Sequence, residues 1–222
     1  MSEPTTDPAG VAAPRRAPRP ACGGAQWARV LEAAERVLVA EGTQALTTRR
    51  VAAEAGVPAG SLDEDLPDRD ALIDALAAGY FARLETVMDL LVHEASARRW
   101  DDPVGVVLDT YADLYRTEHG FRALWFGGGL TTWTRAADRE HKERMADGVA
   151  RVLLALGVAR DDESLARACR AAVLAADALA QEAFRRTPEG DADLLDEAKV
   201  MMRGYLSAVA ARYPNGFPAE VG

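Results

Sequence analysis

Residues 46–62 read Leu46-Thr47-Thr48-Arg49-Arg50-Val51-Ala52-Ala53-Glu54-Ala55-Gly56-Val57-Pro58-Ala59-Gly60-Ser61-Leu62. Thr47 is suited to cap a helix, because its hydroxyl can accept from a backbone N–H of the first turn. Val51, Ala52 and Ala55 then make one apolar face, and Gly56 stops the helix where a left-handed residue fits best. Pro58 suits the first turn of a following short helix. Two short helices joined by a tight glycine turn are the sequence form of a helix-turn-helix. Val51, Ala52, Val57 and Leu62 would hold the pair at a fixed angle. Ala59, Gly60 and Ser61 are small enough for the second helix to approach base edges closely.

Upstream, Trp27, Val30, Leu31, Ala34, Val37 and Leu38 follow the i, i+3, i+4, i+7 rule of an amphipathic helix, which Gly42 ends. Residues 1–24 carry five prolines with Arg15, Arg16 and Arg19 and no helix or strand period, so an irregular arm is expected there. Its arginines are candidates for a minor groove or for phosphates. Downstream, Asp68 can cap a long helix from about Arg69 to His93. Further helices are expected around Val104–Tyr115, Phe121–Phe126, Thr134–Leu156, Glu163–Arg186 and Ala192–Tyr213. No stretch alternates as a strand does. The expected fold is all-α with about nine helices: an arm (1–24), a three-helix helix-turn-helix domain (25–72), a C-terminal helical domain (73–213) and a tail (214–222).

The chain has 222 residues, 49% of them hydrophobic, which is enough for a substantial core and excludes a wholly disordered chain. No apolar run reaches the roughly 18 residues of a membrane span. Met1 to Arg19 lacks the apolar segment of a secretory signal, so a cytoplasmic protein is expected, with no membrane partner. Cys22 and Cys169 are too few for a disulfide framework or a cysteine zinc site. The formal net charge of −9 disfavours non-specific adhesion to DNA but leaves room for a local basic site. Only Lys142 and Lys199 among the 26 basic residues are lysine.

Residues 27–76 resemble the DNA-binding domain of TetR-family transcriptional repressors. The matching pieces are Val30-Leu31-Glu32-Ala33-Ala34, Glu41-Gly42, Leu46-Thr47-Thr48, Val51 to Val57, Gly60-Ser61-Leu62 and Asp68-Arg69-Asp70-Ala71-Leu72. They occur in order and in register over about fifty residues. The resemblance implies a homodimer that binds operator DNA and a small ligand held by the C-terminal helices. Thr47, Thr48, Arg49, Arg50, Pro58, Ala59, Ser61 and Arg69 are the candidate DNA contacts.

The chain departs from the family after Leu62. Where the family places Tyr, then Tyr or His, then Phe, this chain has Asp63-Glu64-Asp65-Leu66. Residues 63–74 hold six acids (63, 64, 65, 68, 70 and 74) against Arg69. A unit charge about 4 Å from a phosphate repels it by roughly 1 kcal/mol in water and about 4 at an effective dielectric near 20. A lost phosphate hydrogen bond adds roughly 0.5–1.5 kcal/mol. Four such sites in a dimer would cost on the order of 6–10 kcal/mol, comparable to the margin of specific over non-specific binding. Operator binding is therefore expected to be weakened or to use a different docking angle, unless these acids form a solvated helix end. A ligand-binding protein of this fold that has lost its operator is the alternative.

In the C-terminal half, Tyr111, Tyr115, Trp125, Phe126, Trp133 and Met145, with Met88 of the preceding long helix, suit a mostly apolar pocket between helices, or plain core. Asp177 lies among alanines and leucine, where a buried carboxylate would need partners. The alanine-rich segment 165–184 fits close helix packing, within or between chains. His93, His119 and His141 fall on separate segments, and Gly127-Gly128-Gly129 lacks the Lys-Ser/Thr of a phosphate loop. No enzyme activity, cofactor or metal is expected.

Overall fold

A computed structural model describes residues 24–211. Within them the chain forms eight α-helices, one fewer than expected, and no strand. They are α1 (Gly24–Glu41), α2 (Thr48–Ala55), α3 (Arg69–Ala97), α4 (Pro103–Thr117), α5 (His119–Phe126), α6 (Thr132–Ala155), α7 (Glu163–Arg186) and α8 (Ala192–Ala210). No helix among the described residues is long and apolar enough to cross a membrane. The expected arm, with Arg15, Arg16 and Arg19, and the expected tail lie outside the described residues, except that Gly24 already opens α1.

Local signals account for most boundaries. Thr47 Oγ1 accepts from the Arg50 N–H at 3.2 Å and caps α2. At the other end Gly56 takes φ 67°, Val57 N–H donates to Ala52 O at 3.0 Å, and Gly56 N–H donates to Ala53 O. That is a Schellman closure, and a side chain with a Cβ would strain it. Asp68 caps α3 by accepting from the Ala71 N–H at 2.8 Å. Asp162 and Asp191 do the same for α7 and α8.

The missing helix is the second one of the helix-turn-helix. A 3-10 turn over Ala59–Ser61 forms there, followed by one i to i−4 turn in which the Leu66 N–H donates to Leu62 O at 2.7 Å. Three local features disfavour an α-helix in this place. Gly60 costs about 1 kcal/mol in a helix interior. Asp63, Glu64 and Asp65 would sit at the negative end of the helix dipole. Pro67 pushes Leu66 out of the helical region. Tertiary contacts hold the segment nonetheless. Leu62 and Leu66 are fully buried, and Thr48 Oγ1 donates to Leu66 O at 3.0 Å. Leu66 thus fills the core position where the family's Phe was expected.

The 29-residue α3 is about 43 Å long at 1.5 Å per residue and joins the two halves of the molecule. Its first turns bury Leu72, Ile73 and Leu76 in one core with Val30, Leu38 and Val51. Its later turns bury Met88 and Leu91 with Met145 and Val152 of α6. α3 and α6 meet closely at Gly148, where a Cβ would overlap Met88. Above that contact Asp74 is buried and accepts from the hydroxyls of Thr131 and Thr134, the latter at 2.8 Å. This fixes the start of α6 to α3. Asp74 therefore does not belong to an acidic surface facing DNA.

Candidate functional site

Two regions carry chemistry. The first is the exposed side of the helix-turn-helix. Pro58, Ala59, Gly60 and Ser61 are exposed, and Ser61 Oγ bonds back to Pro58 O at 2.7 Å. Thr47 is exposed but its hydroxyl is spent on the cap. Arg49 is exposed and makes no ion pair among the described residues.

Three other expected contacts are differently engaged. Arg50 binds Glu41 Oε1 at 2.6 Å and Glu54 Oε2 at 3.1 Å, and Glu54 also takes Arg36 at 3.0 Å. The hydrogen bonds to Glu41 and Glu54 raise the Arg50 pKa, and those from Arg36 and Arg50 lower that of Glu54. Thr48 faces inward to the Leu66 carbonyl. Arg69 reaches away from the turn: Nη1 donates to Gln44 Oε1 at 3.4 Å, and Nη2 would lie 2.8 Å from a Cβ on Gly129. It braces the α5–α6 loop. Asp63 and Glu64 are exposed beside the 3-10 turn, and Asp65 is half-buried.

The second region is a cavity of about 120 Å³ enclosed by α3 to α8. Met88, Tyr111, Tyr115, Trp125, Met145 and Asp177 all line it, as the sequence suggested. Phe126 and Trp133 do not. Phe126 sits at the end of α5 beneath the Arg185 guanidinium, 5.3 Å from its ring centre, beside a shallow surface dent. Trp133 is half-buried in the first turn of α6. Helical phase turns both away: aromatic character can be read from sequence, but direction depends on how each helix is rotated against its neighbours.

The aromatic wall is continuous. Phe121 stacks on Trp125 at 4.4 Å between ring centres, Trp125 meets Phe81 edge-on at 5.4 Å, and Phe81 stacks on His141 at 4.7 Å. His141, for which no metal or catalytic use is expected, is buried in the wall with Nδ1 3.0 Å from Glu85 Oε1. Burial lowers its pKa and outweighs the pull of Glu85, so the ring is neutral. Glu85 also takes Arg144 at 2.7 Å. Its burial opposes ionisation, but the bonds from His141 and Arg144 prevail and lower its pKa.

The polar end is built on Lys142, which the sequence did not single out as a site residue. Its Nζ lies 2.8 Å from Asp138 Oδ2 and 2.9 Å from Asp177 Oδ2. Burial works against the ammonium, and the two carboxylates more than offset it, so its pKa is raised. Asp177 also accepts from Gln181 Nε2 at 2.8 Å and from Tyr115 Oη at 3.4 Å. Asp177 is half-buried and has three side-chain partners. Tyr115 is pushed well above its ordinary pKa, by burial first and then by Asp177, so it stays a donor. Among the described residues no group of three or more His, Cys, Asp or Glu could hold a metal ion.

A family model described as bacterial regulatory proteins, tetR family, matches residues 30–76. A second, described as tetracyclin repressor-like, C-terminal domain, matches residues 98–210. No curated protein matches the chain. Among solved structures, a TetR-family transcriptional regulator from Streptomyces coelicolor is 29% identical, with 83% of this chain and 99% of that one aligned at a TM-score of 0.63. A TetR transcription regulator from Haloarcula marismortui is 18% identical over 84% and 98% of the two chains, at 0.60. The Thermus thermophilus repressor FadR, solved with lauroyl-CoA, is 22% identical over 88% and 100%, at 0.57.

Proposed function

This chain belongs to the TetR family of bacterial transcriptional regulators, and from that premise we propose that it is a cytoplasmic, ligand-responsive repressor that binds operator DNA as a homodimer and is released by a small, mostly apolar molecule. The observation that carries the reading is α3. One unbroken helix contributes Leu72 and Ile73 to the core of the helix-turn-helix and Phe81, Leu84 and Met88 to the cavity wall. A ligand that displaces the later turns tilts the first ones. It acts by linkage, favouring a dimer whose two reading heads no longer match half-sites one helical turn apart. Asp74 with Thr131 and Thr134, and Arg69 against Gly129, tie the start of α6 to the same helix and stiffen the coupling.

The unit we assign to DNA binding runs from residue 25 to 72, and the ligand and dimer unit from 73 to 213. The dimer face we assign is formed by α7 and α8, where Leu174, Val200 and Met201 are large, apolar and exposed. The Thermus relative was solved with lauroyl-CoA, whose acyl chain is apolar, so a ligand with an apolar part is within the range of the fold. No catalytic role is assigned to any residue.

A second reading has its own observation. The element that should enter the major groove is not a full α-helix but a 3-10 turn followed by one i to i−4 turn, with Asp63 and Glu64 exposed on it. That favours a ligand-binding protein which has lost its operator. Selection of bound duplexes from a random library, followed by anisotropy at two salt concentrations, separates the two. A repressor enriches one palindromic sequence and releases it when ligand is added. Failure to enrich any sequence at low salt leaves only the ligand-binding reading.

A further inference from the structure

The cavity does not end at its aromatic wall. A second, smaller hollow of about 70 Å³ adjoins it, and Val107, Leu108, Val149, Val173 and Ala176 line both. All residues lining this annex are apolar, and it extends to Met202 and Leu206 of α8. The polar groups are confined to the main chamber. The shape is therefore that of a molecule with a head and a hydrocarbon tail.

The charge in the main chamber is unusual for this chain. Its two lysines, Lys142 and Lys199, both line the chamber, and each is held between two aspartates. Lys142 pairs with Asp138 and Asp177, and Lys199 with Asp109 at 2.7 Å and Asp196 at 3.2 Å. Three of these carboxylates, on Asp109, Asp138 and Asp177, line the chamber against two ammonium groups. With His141 neutral, the lining carries a net negative charge. Both ammonium groups are already engaged, whereas Oδ1 of Asp138 accepts no hydrogen bond among the described residues.

An anionic head would have to take Lys142 from an aspartate and leave that carboxylate partly buried beside a second negative charge. A cationic head meets a free acceptor on Asp138 and aromatic faces close by. We infer that the effector is a cationic amphiphile, an amine head at Asp138 and Asp177 with an apolar tail in the valine-lined annex. The inference rests on the reading of this cavity as an effector site.

The test uses octylamine, octanol and octanoate, which share one chain and differ in head charge, with naphthalene as a neutral aromatic. Thermal shift and tryptophan fluorescence of the full chain report binding. Octylamine is expected to bind at least about tenfold tighter than octanoate, with octanol between them. Asp138→Asn should remove most of that preference. Shortening octylamine to butylamine should weaken binding by roughly three- to fourfold per methylene in the parent, and much less in Val173→Phe, which fills the junction with the annex. Octanoate binding as well as octylamine overturns the assignment of charge while the effector site stands. Chain length without effect overturns the annex. Naphthalene bound with none of the octyl compounds overturns the whole inference but not the site. No binding by any of the four removes the effector site itself.

Discussion

Arg49 and Arg50 are adjacent, carry the same charge and meet different surroundings. Arg50 is held by Glu41 and Glu54, whereas Arg49 stands exposed on α2 without an ion pair among the described residues. Arg49→Ala is expected to weaken DNA binding and to reduce the salt slope by about one for each phosphate the arginine neutralises. Arg50→Ala should affect affinity less and mainly loosen the packing of α1 on α2. Anisotropy on labelled duplex across a salt series, with melting curves of both variants, checks the pair. His141 supplies the second test at this scale. Burial depresses its pKa below the ordinary 6.5, against Glu85 and Asp138, which raise it, and with Arg144, which lowers it. The unfolded chain therefore takes up a proton first as pH falls. The stability this ring contributes is complete above 6.5 and is lost as pH drops through the folded value. Glu85 adds a separate loss below its ordinary 4.5. Melting temperature should fall between about pH 7.5 and about pH 5.5 in the parent, and less in His141→Phe. An equal fall in both would remove His141 as the cause.

The segment after α2 shows how one element can keep its place and lose its form. Leu62 and Leu66 stay in the core, so the turn is anchored at both ends, while Gly60, the acidic run and Pro67 deny it the hydrogen bonds of a full helix. Its exposed acids oppose phosphates whatever the base sequence. Asp63→Asn with Glu64→Gln should therefore strengthen binding to specific and random duplexes alike, by about 1 kcal/mol per charge for a phosphate about 4 Å away in water. The gain should shrink as salt rises. Circular dichroism separates this charge effect from regained helix. If affinity at low salt is unchanged, these carboxylates do not face DNA.

In the whole molecule, α7 and α8 leave Leu174, Val200 and Met201 exposed, at 48%, 59% and 51%. Val200 and Met201 project from one side of α8, and Glu197, Gly204 and Ala208 are exposed at the same helical phase. Such a stripe buried against its own copy would supply the apolar centre of a four-helix interface. Val200→Glu with Met201→Glu is expected to convert a dimer to a monomer of 23.8 kDa in sedimentation at micromolar concentration, with the helix content retained. A parent chain that already sediments as a monomer would reject this face as the interface. The same variant should also lose cooperative DNA binding, because two reading heads then bind independently.

Local chemistry made the N-terminal half legible. Thr47, Gly56 and Asp68 cap or close their helices as their side chains and backbone preferences dictate, and Leu46, Val51, Leu62 and Leu72 are buried as their spacing requires. The helix ends of α7, Glu163 and Arg186, were equally plain, and a Thr-Pro-Glu-Gly run follows the second. The cavity was legible only in part. Tyr111, Tyr115, Trp125 and Met145 could be proposed from size and polarity, but Phe126 and Trp133 have the same character and point elsewhere. Lys142, Asp138 and His141 looked like ordinary members of a charged helix. They became a site because α6 rotates them toward Asp177 of α7 and Phe81 of α3, residues 35 and 60 positions away from Lys142 and His141. The type of each helix is set by interactions within a few residues, which sequence contains. The rotation and meeting of helices are set by packing between distant segments, and only the folded chain decides them.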